Sequence, residues 1–165
     1  MALRAIIFRE EMSRYFFNMT ASVFGKIVLL GAGAGLATWL IGWVLNQYIL
    51  TPFFCGDPDS ISICLNSTVL SSNIAAVLVG IMVVPILAMI SMKRALLVVI
   101  AAIVALWGVA AWIAGPWYVS LIWTVLAYAA VYAALAWINR LRGDLAAIVF
   151  IVMFVVIVRA VLAFA

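Results

Sequence analysis

The sequence predicts an all-α integral membrane protein with five transmembrane helices. Three observations carry this. Of the 165 residues, 71% are hydrophobic and 8% charged, whereas a soluble domain holds about 45–50% apolar and about 25% charged residues. The apolar residues fall into five runs, each near the roughly 20 residues needed to cross a hydrocarbon core of about 30 Å. Basic residues cluster between alternate runs and are missing from the other connections, the pattern of short loops sorted to opposite sides of a membrane. The runs use nearly the whole chain, so residues 1–165 form a single membrane domain.

Residues 1–20 precede the first run. Phe8, Met12, Tyr15, Phe16 and Met19 recur at helical spacing, while Arg9, Glu10, Ser13 and Arg14 fall elsewhere. This predicts an amphipathic helix lying in the headgroup plane; the alternative is the end of one long first helix.

The first span is expected over 26–50. Lys26 sits at one interface, and Trp39, Trp43 and Tyr48 lie towards the other, as an aromatic belt would. Gly31, Gly35, Thr38 and Gly42 line one helical face. Small residues at such spacing let helix backbones approach closely, so this face is assigned to helix packing. A smooth wall beside a lipid or ligand path is the functional alternative.

The loop 51–67 carries two aspartates and no Lys or Arg. Cys55 and Cys64, the only cysteines, stand across a Gly-Asp-Pro-Asp turn and can close a disulfide ring. That requires an oxidising compartment, and the charge rule independently places this loop outside. Asp57 and Asp59 flank a proline and read as a turn rather than a metal site.

The second span is expected over 69–92, with Pro85 inside it as a kink or, more sharply, a gating hinge. Asn73 near its start is suited to interhelical hydrogen bonding. The third span, 95–114, carries no charge and ends at Gly115-Pro116. The fourth is expected over 117–138 and the fifth over 145–165. Arg4, Arg9, Arg14, Lys26, Lys93, Arg94, Arg140 and Arg142 all fall on one side, so the N-terminus is cytoplasmic and the C-terminus outside. The setting expected is a plasma membrane crossed several times.

A duplicated helical hairpin is also suggested. Ser72–Arg94 aligns with Ser120–Arg142 through Ser72/Ser120, Val77/Val125, Leu87/Leu135 and Arg94/Arg142. Gly35, Trp39 and Gly42 are echoed at Gly108, Trp112 and Gly115. The last span falls outside the repeat.

Composition also excludes chemistry. There is no histidine, hence no His-ligated metal or haem and no Ser–His relay. No catalytic, cofactor-binding or metal-binding constellation is visible, and the basic residues never form a block of the kind nucleic-acid binding uses. Arg159 is the unusual residue, a charge deep in the last span. It can snorkel to the headgroups beside the chain end, or pair with Asp57, Asp59 or a lipid phosphate.

Three stretches resemble the GtrA-like family of small membrane proteins: the opening Lys26-Ile-Val-Leu-Leu-Gly-Ala, the second-span run Ser72–Gly80, and Ile138-Asn139-Arg140 after a span. The likeness covers 26–142. It implies handling of polyprenyl-phosphate-linked sugars in the cell envelope, beside a glycosyltransferase. The chain departs from that pattern in its fifth span, in its cysteine loop, and in Ser91-Met92-Lys93-Arg94 after the second span. The functional expectation is a non-enzymatic membrane protein, in contact with membrane lipids, that translocates or handles a lipid-linked sugar or another small substrate. The alternative is a structural or accessory subunit of a larger complex, joined to a protein partner or to copies of itself.

Overall fold

A computed structural model of the chain describes residues 21–55, 64–90, 94–111, 115–139 and 144–164. The interfacial helix expected over 1–20 and both Asp57 and Asp59 lie outside the described residues. The described residues are helical, with no strand among them. They form α1 (Ala21–Leu45), a π-helical turn (Asn46–Leu50), α2 (Thr51–Phe54), α3 (Ser67–Met89), α4 (Ala95–Ala105), a 3₁₀ turn (Val109–Ala111), α5 (Trp117–Ile138) and α6 (Asp144–Phe164).

Four stretches are long and apolar enough to cross a membrane: Ser22–Phe54, Ser67–Met89, Trp117–Ile138 and Asp144–Ala163. The third apolar run differs from the expectation of a span over 95–114. Its helix stops at Ala105, about 16 Å long at about 1.5 Å per residue and so roughly half a hydrocarbon core. The chain turns at Leu106–Gly108 before the 3₁₀ turn. The fourth run, by contrast, has the bounds its sequence predicts.

The first span is longer than 26–50, because α1 continues through the π turn into α2 without leaving the helical path. Pro52 explains the widened turn. It has no N–H, and its ring crowds the preceding carbonyls. The backbone makes room by adding a residue to one turn: the Thr51 N–H bonds the Asn46 carbonyl, and Thr51 Oγ1 donates to the same oxygen at 2.7 Å. Pro85 does not interrupt α3, which runs on through it to Met89.

α1 packs mainly against α5 and α3, α4 lies against α3, α5 and α6, and α6 is peripheral. Glycines set the close approaches. A Cβ on Gly35 would lie 2.9 Å from both Val125 Cα and Tyr128 Cβ, and one on Gly31 would lie 3.0 Å from Ala129 Cα. Gly42, further along, faces Ser72 of α3 instead. The small-residue face therefore serves two neighbours, Gly31 and Gly35 for α5, Gly42 for α3. Thr38 is buried, and its hydroxyl has no hydrogen-bond partner among the described residues. On α3, Gly80 admits Ile103 from the α4 side. The core is aliphatic apart from Tyr128 and Tyr132, and joins Ile27, Val79, Leu87, Val98, Ala105 and Leu135 across the bundle.

The hairpin echo finds no support in this geometry. Gly35 is an in-helix packing glycine, whereas Gly108 has φ +79° at a helix break and nothing within 4 Å of a Cβ. Gly35 and Gly108, which align in sequence, do different work.

Candidate functional site

The interruption of the third apolar run is where polar chemistry enters the bundle. Leu106 N–H still bonds Ala102 O at 3.0 Å, but Trp107 N–H reaches only Val104 O, at 3.4 Å. At Gly108 the ladder is abandoned. The positive φ swings its N–H away from the helix axis, a conformation glycine takes at no steric cost. Asn73 Oδ1, from α3, accepts that N–H at 2.9 Å. The Trp107 carbonyl, freed by the same turn, accepts Arg159 Nη1 of α6 at 2.5 Å. One backbone donor and one backbone acceptor are thus satisfied by side chains from two other helices. Within hydrocarbon this matters, since an unpaired peptide group there costs several kcal/mol.

Two residues singled out in the sequence, Asn73 and Arg159, are therefore brought to the same break. Asn73 is buried, while Arg159 stays exposed at the bundle surface. The expected pairing of Arg159 with Asp57 or Asp59 falls on residues outside the description. Pro85 is exposed and belongs to a different part of the bundle.

Below the break, the surface between α4 and α6 holds a groove of about 230 Å³. Leu97, Ile100 and Val104 form one wall, and Ile148, Val152 and Val155 the other. Each wall is hydrocarbon. α4 and α6 pack side by side along the groove, and a polar contact joins them beyond each of its ends. At the Trp107 end the contact is the Arg159 bond. At the other end Arg94, just before α4, forms an ion pair with Asp144 in the first turn of α6. Asp144 also suits the positive end of the α6 dipole. A half-length helix is thereby tied to α6 by an arginine at each end.

Cys55 and Cys64 are joined in a disulfide, with Cα atoms 5.1 Å apart. It closes the connection between α2 and α3, at the same end of the bundle as the 3₁₀ turn. Aromatic rings gather there too: Trp39 lies 6.4 Å from Trp117, Trp117 meets Tyr118 edge-on at 5.9 Å, and Trp43 meets Tyr48 edge-on at 6.4 Å. Sequence reasoning missed the Arg94–Asp144 pair, Gly80, and the buried tyrosines. Tyr128 and Tyr132 carried a signal, since they are four apart on one face of a span.

No family model, characterised protein or solved structure matched the chain. Its function is argued from its own geometry.

Two further buried hydroxyls are occupied within their own helices. Ser71 Oγ donates to Thr68 O at 2.9 Å and Thr124 Oγ1 to Ser120 O at 2.8 Å. Such bonds cap local backbone. The described residues contain no His/Cys/Asp/Glu group able to hold a metal.

Proposed function

We propose that this is a non-enzymatic integral membrane protein that handles a lipid-linked or other amphiphilic small substrate in the cell envelope. The observation that supports it is the helix break, secured by Asn73 and Arg159, at the end of a hydrocarbon groove open to the surrounding lipid. Broken helices at membrane depth are tolerated where protein re-satisfies the backbone, and they recur beside the substrate sites of transporters. The apolar core favours a substrate whose tail stays in lipid over a solute that needs a water-lined path. Absence of histidine favours handling over chemistry.

On this reading the third run crosses the bilayer as a broken span, which makes five crossings. The basic clusters support a cytoplasmic N-terminus, with the disulfide end and the C-terminus outside, and the proposed setting is a plasma membrane. The likeness to the GtrA-like family points the same way, towards a lipid-phosphate-linked sugar and a glycosyltransferase neighbour.

A second reading, an accessory subunit, draws on α6. Its 20-residue span has a mean hydropathy of 3.0, and 11% of its most apolar window is buried. A face of that kind suits a protein neighbour or a second copy as well as lipid. Purification in mild detergent, followed by mass analysis of everything bound, separates the two. Enriched lipid or lipid-linked glycan on a lone monomer or dimer is expected. A fixed-ratio protein partner with no enriched lipid would overturn the lipid-handling reading in favour of the subunit.

A further inference from the structure

We infer that the α4–α6 groove is a seat for one chain of a phosphate-headed lipid, with Arg159 as the receptor for its phosphate. This rests on the lipid-handling reading and names the head group that the site takes.

The argument begins with charge. Asp144, the carboxylate present among the described residues, is engaged by Arg94 at the far end of the groove. Arg159 bonds only a neutral carbonyl in the described structure. A guanidinium offers five N–H donors in a planar fork that fits phosphate oxygens, and one donor on Trp107 leaves others for a ligand. The Trp107 bond also fixes where the charge sits, which a merely snorkelling arginine would lack.

Position supplies the second part. Val155 and Val156 line the groove, and Arg159 follows one helical turn later on the same side of α6. Trp107 lies three residues after Val104, just past the end of α4. The guanidinium, held at the Trp107 carbonyl, therefore lies just past the end of the groove. Along α6 it runs from Ile148 to Val156, about 12 Å at about 1.5 Å per residue. Arg159 itself lies about 22 Å along α6 from Asp144. In a hydrocarbon core of about 30 Å this leaves it several ångströms below the outer edge, within reach of a headgroup for so long a side chain. A lipid of the outer leaflet has this layout: phosphate at the arginine, chain descending towards the bilayer centre. Hydrocarbon walls accept the chain, and no polar group in the groove opposes it.

Native mass spectrometry of the full-length protein tests this, after equilibration with phosphatidylglycerol or with neutral diacylglycerol of the same chains. Three variants suffice. Arg159→Gln removes the charge but keeps an N–H donor for the Trp107 carbonyl. Arg159→Lys restores charge without the fork. Val152→Trp fills the groove from an exposed position. The wild type is expected to retain phosphatidylglycerol in preference to diacylglycerol. Arg159→Gln and Val152→Trp should each lower that retention about tenfold, and Arg159→Lys should fall between. Unchanged retention in Arg159→Gln overturns the inference. If diacylglycerol is held as well as phosphatidylglycerol and only Val152→Trp reduces both, the groove binds lipid without reading phosphate: the inference fails and the lipid-handling reading stands. If neither lipid is held, both fail.

Discussion

At the scale of single residues, Asn73 and Gly108 form one device. The asparagine carbonyl oxygen reaches the single N–H that the glycine turns out of its helix. Replacing Asn73 by Leu keeps the volume roughly and strands that N–H in an apolar setting, at a cost of about 1–3 kcal/mol. Replacing Gly108 by Ala forces a side chain onto φ +79°, at about 1–2 kcal/mol. Because both changes strike one hydrogen bond, the double variant should cost clearly less than the sum. Thermal unfolding in detergent, followed by tryptophan fluorescence, measures this. Strict additivity would show that the two residues act separately. In the sequence, Asn73 was legible as polar glue within a span, but its partner was not. A backbone N–H becomes a partner only where a helix breaks, and nothing about Leu106-Trp107-Gly108 as letters demands a break.

At the scale of elements, the α1 glycines make a sharper comparison. Gly31, Gly33 and Gly35 look equivalent in the sequence, but helical geometry separates them. Gly33 is exposed with nothing within 4 Å of a Cβ, whereas Gly35 sits 2.9 Å from the α5 backbone at Val125. The obstacle at Gly35 is a Cα rather than the end of a flexible side chain, so the helices must separate. Gly35→Ala should therefore destabilise by about 1–3 kcal/mol. Gly33→Ala should be neutral or gain up to about 1 kcal/mol from helix propensity. Size-exclusion profiles after a graded heat challenge rank the two, and equal behaviour would refute close α1–α5 packing. The packing role of the Gly31–Gly42 face followed from its spacing. That Gly42 turns to α3 while Gly35 turns to α5 did not, because which neighbour a helix face meets depends on how the bundle is assembled.

At the scale of the whole molecule, the disulfide, the aromatic cluster and the helix break all fall towards one end. Lys26 and Arg94, the other basic residues in the described structure besides Arg159, lie towards the other end. If the disulfide end faces outside, a membrane-impermeant maleimide applied to intact cells should label Cys55 and Cys64 only after reduction. Labelling that requires the cytoplasmic face to be opened would reverse the orientation. Cys55→Ser removes a cross-link around a short loop. The chain-entropy account puts the cost at about 2.5 kcal/mol, measurable as a lowered unfolding midpoint.

Composition and periodicity by themselves determined that the described residues are helical, that the chain suits a lipid solvent, and where four of the five expected spans lie to within a few residues. These are properties of local sequence: the transfer energy of each run, and the hydrogen bonds a helix makes within itself. Local sequence also brought the two cysteines within bonding reach, since a short loop leaves them few other positions. Only the tertiary structure decided that the third run is interrupted. Its residues are apolar enough for an unbroken helix, and glycine alone does not end one. The break exists because Asn73 and Arg159, from helices far away in the chain, arrive together to satisfy the two peptide groups that it frees. That pairing depends on three helices at once.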